Sequence, residues 1–176
     1  MESHSGVLHL NRVKFIKLEN MTFENNHNCS ALYVHCSNIN FEGMLNFINN
    51  TGQIGAAIAL IATRQLVNYH CKLSLKLGQN TRVRMMNNTA EQYGGGVYVD
   101  DDCRAQSKCI FDGINNTASQ FEMINNAAKL GGDSVFGGCF EPCFKGNDSE
   151  QHLFATMSGL QSLFGIPCAF QGTLLQ

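Results

Sequence analysis

Along the middle of the chain, apolar and polar positions alternate with a period of two. Leu73, Leu75 and Leu77 alternate with Lys72, Ser74 and Lys76, and Val83 and Met85 with Arg82 and Arg84. Val97-Tyr98-Val99 is a short β-branched and aromatic run. These stretches close on Asn or Gly, the signature of short strands ended by turns. No helical 3.6-residue period covers them. The tail differs: Leu153, Phe154, Met157, Leu160 and Phe164 fall three and four residues apart, the spacing of an amphipathic helix.

The strand pattern recurs. Cys71, Asn87 and Asn88 return 38 residues later as Cys109, Asn125 and Asn126. Met85-Met86-Asn87-Asn88-Thr89-Ala90 becomes Met123-Ile124-Asn125-Asn126-Ala127-Ala128. Gly94-Gly95-Gly96-Val97-Tyr98-Val99 becomes Gly131-Gly132-Asp133-Ser134-Val135-Phe136. Upstream, Phe47-Ile48-Asn49-Asn50 precedes Gly55-Ala56-Ala57-Ile58, and Phe23-Glu24-Asn25-Asn26 precedes Ala31-Leu32. These four Asn-Asn pairs are thus 24, 38 and 38 residues apart. Variable periods around a fixed motif predict coils of one solenoid with loops of different length. Stacked coils sit about 4.8 Å apart, so each position lies over its own equivalent. Phe23, Phe47, Met85 and Met123 then form an inward apolar column. Asn26, Asn50, Asn88 and Asn126 form an Asn ladder, because Asn tolerates left-handed turns and its amide can bond the next coil. Gly55, Gly94, Gly95, Gly131 and Gly132 are the turn glycines.

The combination of Phe-x-x-Asn with Gly-Gly-Ala-Ile resembles the repeat of the chlamydial polymorphic outer membrane proteins, and similar repeats of large eukaryotic surface proteins. The resemblance covers roughly residues 20 to 138. Phe23 to Asn26 and Phe47 to Asn50 keep the first half, while Met85 and Met123 replace Phe elsewhere. The glycine half is good only at Gly94 to Val97. The resemblance implies a right-handed parallel β-helix used in adhesion. The fold expected is therefore all-β: a right-handed parallel β-helix solenoid of about four coils with a short C-terminal capping segment. Residues 1–9 are a leader or fragment edge, 10–144 the β-helix repeats, and 145–176 a loop and capping or truncated tail.

Composition narrows the function classes. The net charge of the 176-residue chain is -2, which argues against a nucleic-acid partner that would need a basic stripe. The longest apolar run, Ile54 to Ala62, is too short to span a bilayer. Membrane association is expected only through missing parts of a longer chain. Met1 to Ser5 lacks a signal-peptide pattern, so an extracellular assignment implies a longer precursor.

The chain has 19 Asn, and six of them head sequons: Asn20, Asn28, Asn49, Asn87, Asn115 and Asn147. Random order would give about two. The excess favours a glycosylated extracellular or cell-surface protein, and the eukaryotic branch of the resemblance. Two of the six, Asn49 and Asn87, also fall inside repeat pairs and carry that argument less independently. All eight cysteines, Cys29, Cys36, Cys71, Cys103, Cys109, Cys139, Cys143 and Cys168, are disulfide candidates. Cys36 and Cys71 both start coils, which places a bridge between them within reach.

Chemistry has few footholds. Asp100-Asp101-Asp102 could do acid/base work on a polysaccharide or bind calcium weakly, but no second carboxylate cluster accompanies it. Cys139-x3-Cys143 could be half a zinc site, though a bonded cap loop accounts for it better. The six His form no metal motif. The expectation is a non-enzymatic extracellular structural or adhesive module, a rigid glycosylated surface or spacer. It needs no cofactor or metal and would meet an unknown protein or glycan surface partner. A carbohydrate-active β-helix and a cytosolic structural repeat with free thiols stand as alternatives.

Overall fold

The computed structural model describes residues 6–61, 73–99, 111–112, 120–137 and 164–165. It is all-β with parallel sheets. Strand formation follows the alternation in the sequence. β4 (Asn38–Ile48) buries Ile39, Phe41, Leu45 and Phe47 and turns Met44 outward. β7 (Ser74–Leu77) and β8 (Arg82–Met86) bury Leu75, Leu77, Val83 and Met85 in the same manner.

Three sheets form. The first contains β1 (Gly6–Asn11), β3 (Ser30–His35), β6 (Ile58–Ile61), β10 (Val97–Val99), β14 (Val135–Phe136) and β15 (Phe164–Gly165), in that spatial order. The second runs β11 (Phe111–Asp112), β7, β4, β8, β12 (Gln120–Ile124), with β2 (Ile16–Glu24) also on β4. The third joins β13 (Ala127–Ala128), β9 (Thr89–Tyr93) and β5 (Thr51–Ile54). Every pairing is parallel. Strands paired in this way lie in register, so equivalent residues sit beside one another across each sheet and form tiers.

The inward faces of the first two sheets meet in one core. Leu32, Ile58, Val97 and Val135 form one buried column, since each is the registered partner of the next. Phe23, Phe47, Met85 and Met123 form another, all at most 6% exposed. The Phe23 and Phe47 rings stack with centroids 5.0 Å apart and planes 5° from parallel. Burial of each such side chain stabilises the fold by about 1.5–3 kcal/mol.

Several features depart from the sequence reading. The third sheet has no counterpart in the sequence pattern. Its strands are short and polar, with only Gly52, Ile54 and Ala90 turned fully inward. Residues 6–9, set apart as an edge, belong to β1 and pair with β3. Phe164, assigned to the amphipathic helix, is in β15 and extends the first sheet beside β14. An unpaired parallel edge draws an extended segment more readily than a helix, because it offers a row of free N–H and C=O groups. The remainder of 138–176 lies outside the described residues.

The register also corrects one alignment. Val97 pairs with Val135, so Gly132, not Gly131, lies beneath Gly94. The backbone agrees: φ is +49° at Gly55, +67° at Gly94 and +68° at Gly132. At these three positions an added Cβ would run into the carbonyl of the residue three places on.

Period variation has an address. β3 passes to β4 through Cys36 and Ser37 alone, whereas β6 reaches β7 through residues 62–73 and β10 reaches β11 through 100–110. A smaller insertion, Gly78 to Thr81, separates β7 from β8 opposite the unbroken β4. Gly78 N–H and the Thr81 hydroxyl both donate to Phe41 O there, which holds the insertion on the strand beside it.

Candidate functional site

The Asn-Asn pairs build the most ordered polar feature among the described residues. The first Asn of each pair, Asn25, Asn49, Asn87 and Asn125, has φ between +52° and +56° and is exposed. Asn adopts this left-handed region more readily than other side chains do, so it turns the chain at the ends of β2, β4, β8 and β12, all in the second sheet. The turn sends the second Asn inward. Asn50 and Asn88 are fully buried, Asn126 is 8% exposed, and Asn26, in the end tier, is half-buried.

These four amides bond in series. Asn26 donates to Asn50 Oδ1 from its backbone N at 3.2 Å and from Nδ2 at 2.7 Å. Asn50 donates to Asn88 Oδ1 at 3.1 and 2.9 Å, and Asn88 to Asn126 Oδ1 at 3.1 and 2.9 Å. The second Nδ2 proton goes back to a carbonyl of the preceding tier. Asn50 donates to Phe23 O, Asn88 to Phe47 O and Asn126 to Met85 O, at 2.9 to 3.1 Å. A buried interior rung thus satisfies both protons and fills its oxygen with two donors.

Other buried hydroxyls, which carry no periodic signal, close the remaining corners. The Ser30 hydroxyl donates to Ile54 O at 2.8 Å, and that of Ser37 to His35 O while accepting from Val13 N. Single hydroxyls of this kind are legible only once the tiers are known.

The sequon asparagines Asn20, Asn28, Asn49 and Asn87 are all exposed. Asn20 Oδ1 accepts from Met44 N at 3.0 Å, over Gly43. The hydroxyls of three of these sequons are engaged, that of Thr22 accepting from Asn46 Nδ2 at 3.2 Å. Ser30 is buried, and Thr51 Oγ1 lies 3.4 Å from Asn28 N, which donates to it, and 3.3 Å from His27 Nδ1. Asn115 and Asn147 lie outside the described residues. Of the cysteines, Cys29 is a half-buried free thiol. Cys36 is disulfide-bonded, and no bridge joins two described cysteines. Cys71, Cys103, Cys109, Cys139, Cys143 and Cys168 lie outside the described residues, as do Asp100, Asp101 and Asp102.

The outer faces carry charge and rings. Lys17 pairs with Glu19 and Glu42, each at 2.8 Å, and these carboxylates hold its ammonium pKa above the ordinary lysine range. Arg84 meets Glu122 at 2.7 Å and Lys129 meets Glu91 at 2.7 Å, both between tiers. Met44, Arg82, Arg84 and Glu122 line an open groove of about 290 Å³. On the first sheet, His9, Tyr33, Ala59, Tyr98 and Phe136 stand in one registered row. His9 meets Tyr33 edge-on at 4.8 Å, and Tyr98 stacks on Phe136 at 5.7 Å.

Among the described residues no group of three His, Cys, Asp or Glu is placed to hold a metal ion. The described residues contain no helix long and apolar enough to cross a membrane. Compared with known proteins, the chain matches no protein-family model, no curated protein and no solved structure.

Proposed function

We propose that the chain is a stretch of right-handed parallel β-helix that serves as a non-enzymatic structural or adhesive module at the cell surface. The observation that carries this reading is the amide series from Asn26 to Asn126, in step with parallel pairing on three sheets. Stacked coils account for both with a single geometry. Right-handed winding follows from the strong preference of parallel crossovers for that hand. The resemblance to the polymorphic outer membrane protein repeat is supported by the stacking of Phe23 on Phe47, over Met85 and Met123.

Such a body is stiff along its axis and presents flat lateral faces. The row of His9, Tyr33, Tyr98 and Phe136 is the face assigned to contacts, since aromatic side chains dominate the energetics of recognition surfaces. Exposed sequons at Asn20, Asn28, Asn49 and Asn87 support the extracellular assignment. The Cys36 disulfide supports an oxidising compartment, and Cys71, which starts the next coil, is the partner proposed for it.

The test is surface labelling of eukaryotic cells expressing the chain within its natural open reading frame. Expected are labelling by a membrane-impermeant reagent and a mass loss on treatment with an amide-releasing glycosidase. A cytosolic protein with eight free thiols would overturn the reading. Release of sugar ends from a polysaccharide panel, abolished by Asp101→Asn, would move the assignment to a carbohydrate-active enzyme.

A further inference from the structure

Asn49 and Asn87 both head sequons, and both occupy the same corner one coil apart. Asn49 N donates to Met86 O at 3.0 Å, and Asn87 N to Ile124 O at 3.0 Å, so the corner repeats in register. Their φ values are +54° and +56°, so the two corners turn the chain in the same sense. The residues that follow them, Asn50 and Asn88, are tied together inside the ladder and fix that spacing. The two side chains therefore leave the surface about 4.8 Å apart. Asn25 and Asn125 continue the column on either side with the same backbone, which limits splaying. Neither of these outer residues heads a sequon, because His27 and Ala127 stand where Ser or Thr is needed.

We infer that Asn49 and Asn87 form one composite glycosylation site, and that the folded molecule carries a glycan on one or the other but not on both. The inference rests on the glycoprotein reading above. In the transfer step a bond forms between Asn Nδ2 and C1 of the first sugar, while the C1–O bond to a polyprenyl-pyrophosphate donor breaks. Nδ2 loses one proton and the lipid pyrophosphate leaves. Thr51 Oγ1 is engaged by Asn28 N in the folded corner, so transfer at Asn49 precedes folding there. Folding then selects. The spacing of stacked strands is close to the thickness of a flat ring. A saturated sugar ring with hydroxyls and an N-acetyl group exceeds it. A chain modified at both positions must separate two coils to relieve the clash, which breaks the bonds from Asn50 to Asn88.

The test is site-resolved glycopeptide mass spectrometry on the peptide spanning both sites, using protein secreted from eukaryotic cells. The expected result is singly modified peptide of both kinds. Doubly modified peptide should fall at least about tenfold below the product of the single occupancies, as an overpacking-sized penalty gives. Double modification at that product overturns the inference. If only one site is filled, Asn49→Gly and Asn87→Gly decide, because glycine keeps the left-handed corner and removes the sequon. Filling of the silent site in the partner's variant supports exclusion, and continued silence overturns it. Glycan at Asn20 or Asn28 with none at either corner site, even in the glycine variants, also overturns it. Absence of glycan from every sequon refutes the glycoprotein reading itself, a distinct outcome.

Discussion

The buried asparagine series and the exposed ion pairs are both polar contacts between tiers, and their distances are alike. Asn50 reaches Asn88 at 2.9 Å and Arg84 reaches Glu122 at 2.7 Å. Their surroundings separate them. Asn50 and Asn88 have no exposed surface, whereas the Arg84 and Glu122 side chains are 40% and 35% exposed. Water replaces a lost partner at the surface and cannot do so inside. The shorter contact is therefore the weaker one, and distance alone is a poor guide to what holds the tiers together.

The comparison can be broken most directly at Asn88. Asn88→Ala removes the acceptor of two donors from Asn50 and the bonds that Asn88 Nδ2 donates to Phe47 O and Asn126 Oδ1. The expected loss is about 3 kcal/mol or more, read as a fall in urea-unfolding free energy. A loss below about 1 kcal/mol would equate the ladder with a surface pair.

Asn26→Ala sharpens the contrast within the ladder itself. The backbone donor to Asn50 Oδ1 stays and only the Nδ2 donor is lost, at a half-buried position in the end tier that water can reach. The expected loss is about 1 kcal/mol in the same titration.

Arg84→Ala tests the surface side. A change within about 1 kcal/mol is expected, smaller still in high salt because exposed charges are screened. A larger, salt-independent loss would mean that the Arg84 stem packs on the sheet and contributes more than its charge.

The smallest effect concerns Lys17. Its pKa is raised first by the hydrogen bond to Glu19, then by that to Glu42. A raised pKa stabilises the fold fully below the ordinary lysine value and loses that contribution as pH climbs through the folded-state value. The urea midpoint of Lys17→Met should therefore track the parent through neutral pH. The two should differ in slope only above about pH 10.

Much of the tier geometry was legible before the structure, for a physical reason. Stacking places identical demands on equivalent positions, so Phe23, Phe47, Met85 and Met123 repeat in kind, and Asn26, Asn50, Asn88 and Asn126 repeat in identity. The third sheet was hidden because Thr51–Ile54 and Thr89–Tyr93 each turn only one or two side chains fully inward. Periodicity needs more buried positions than that. The Gly131–Gly132 shift was hidden because a glycine pair reads alike in either register, until φ distinguishes its members. Phe164 has helical spacing in the sequence, and a spacing of three and four says nothing of a nearby open strand edge.

One property of the asparagine series bears on the molecule as a whole. Backbone groups in these sheets donate in both senses along the stack: Asn25 N reaches toward Ile48 O, and Thr51 N reaches back toward Asn26 O. Their dipoles largely cancel, as is usual for sheets. The side-chain carbonyls do not alternate. Asn50, Asn88 and Asn126 all point Oδ1 back toward the tier before them. Their dipoles add, each polarising the next in a dry interior. The stack thus has an electrical direction, negative toward Asn26 and positive toward Asn126, so its two ends would greet an approaching ion differently.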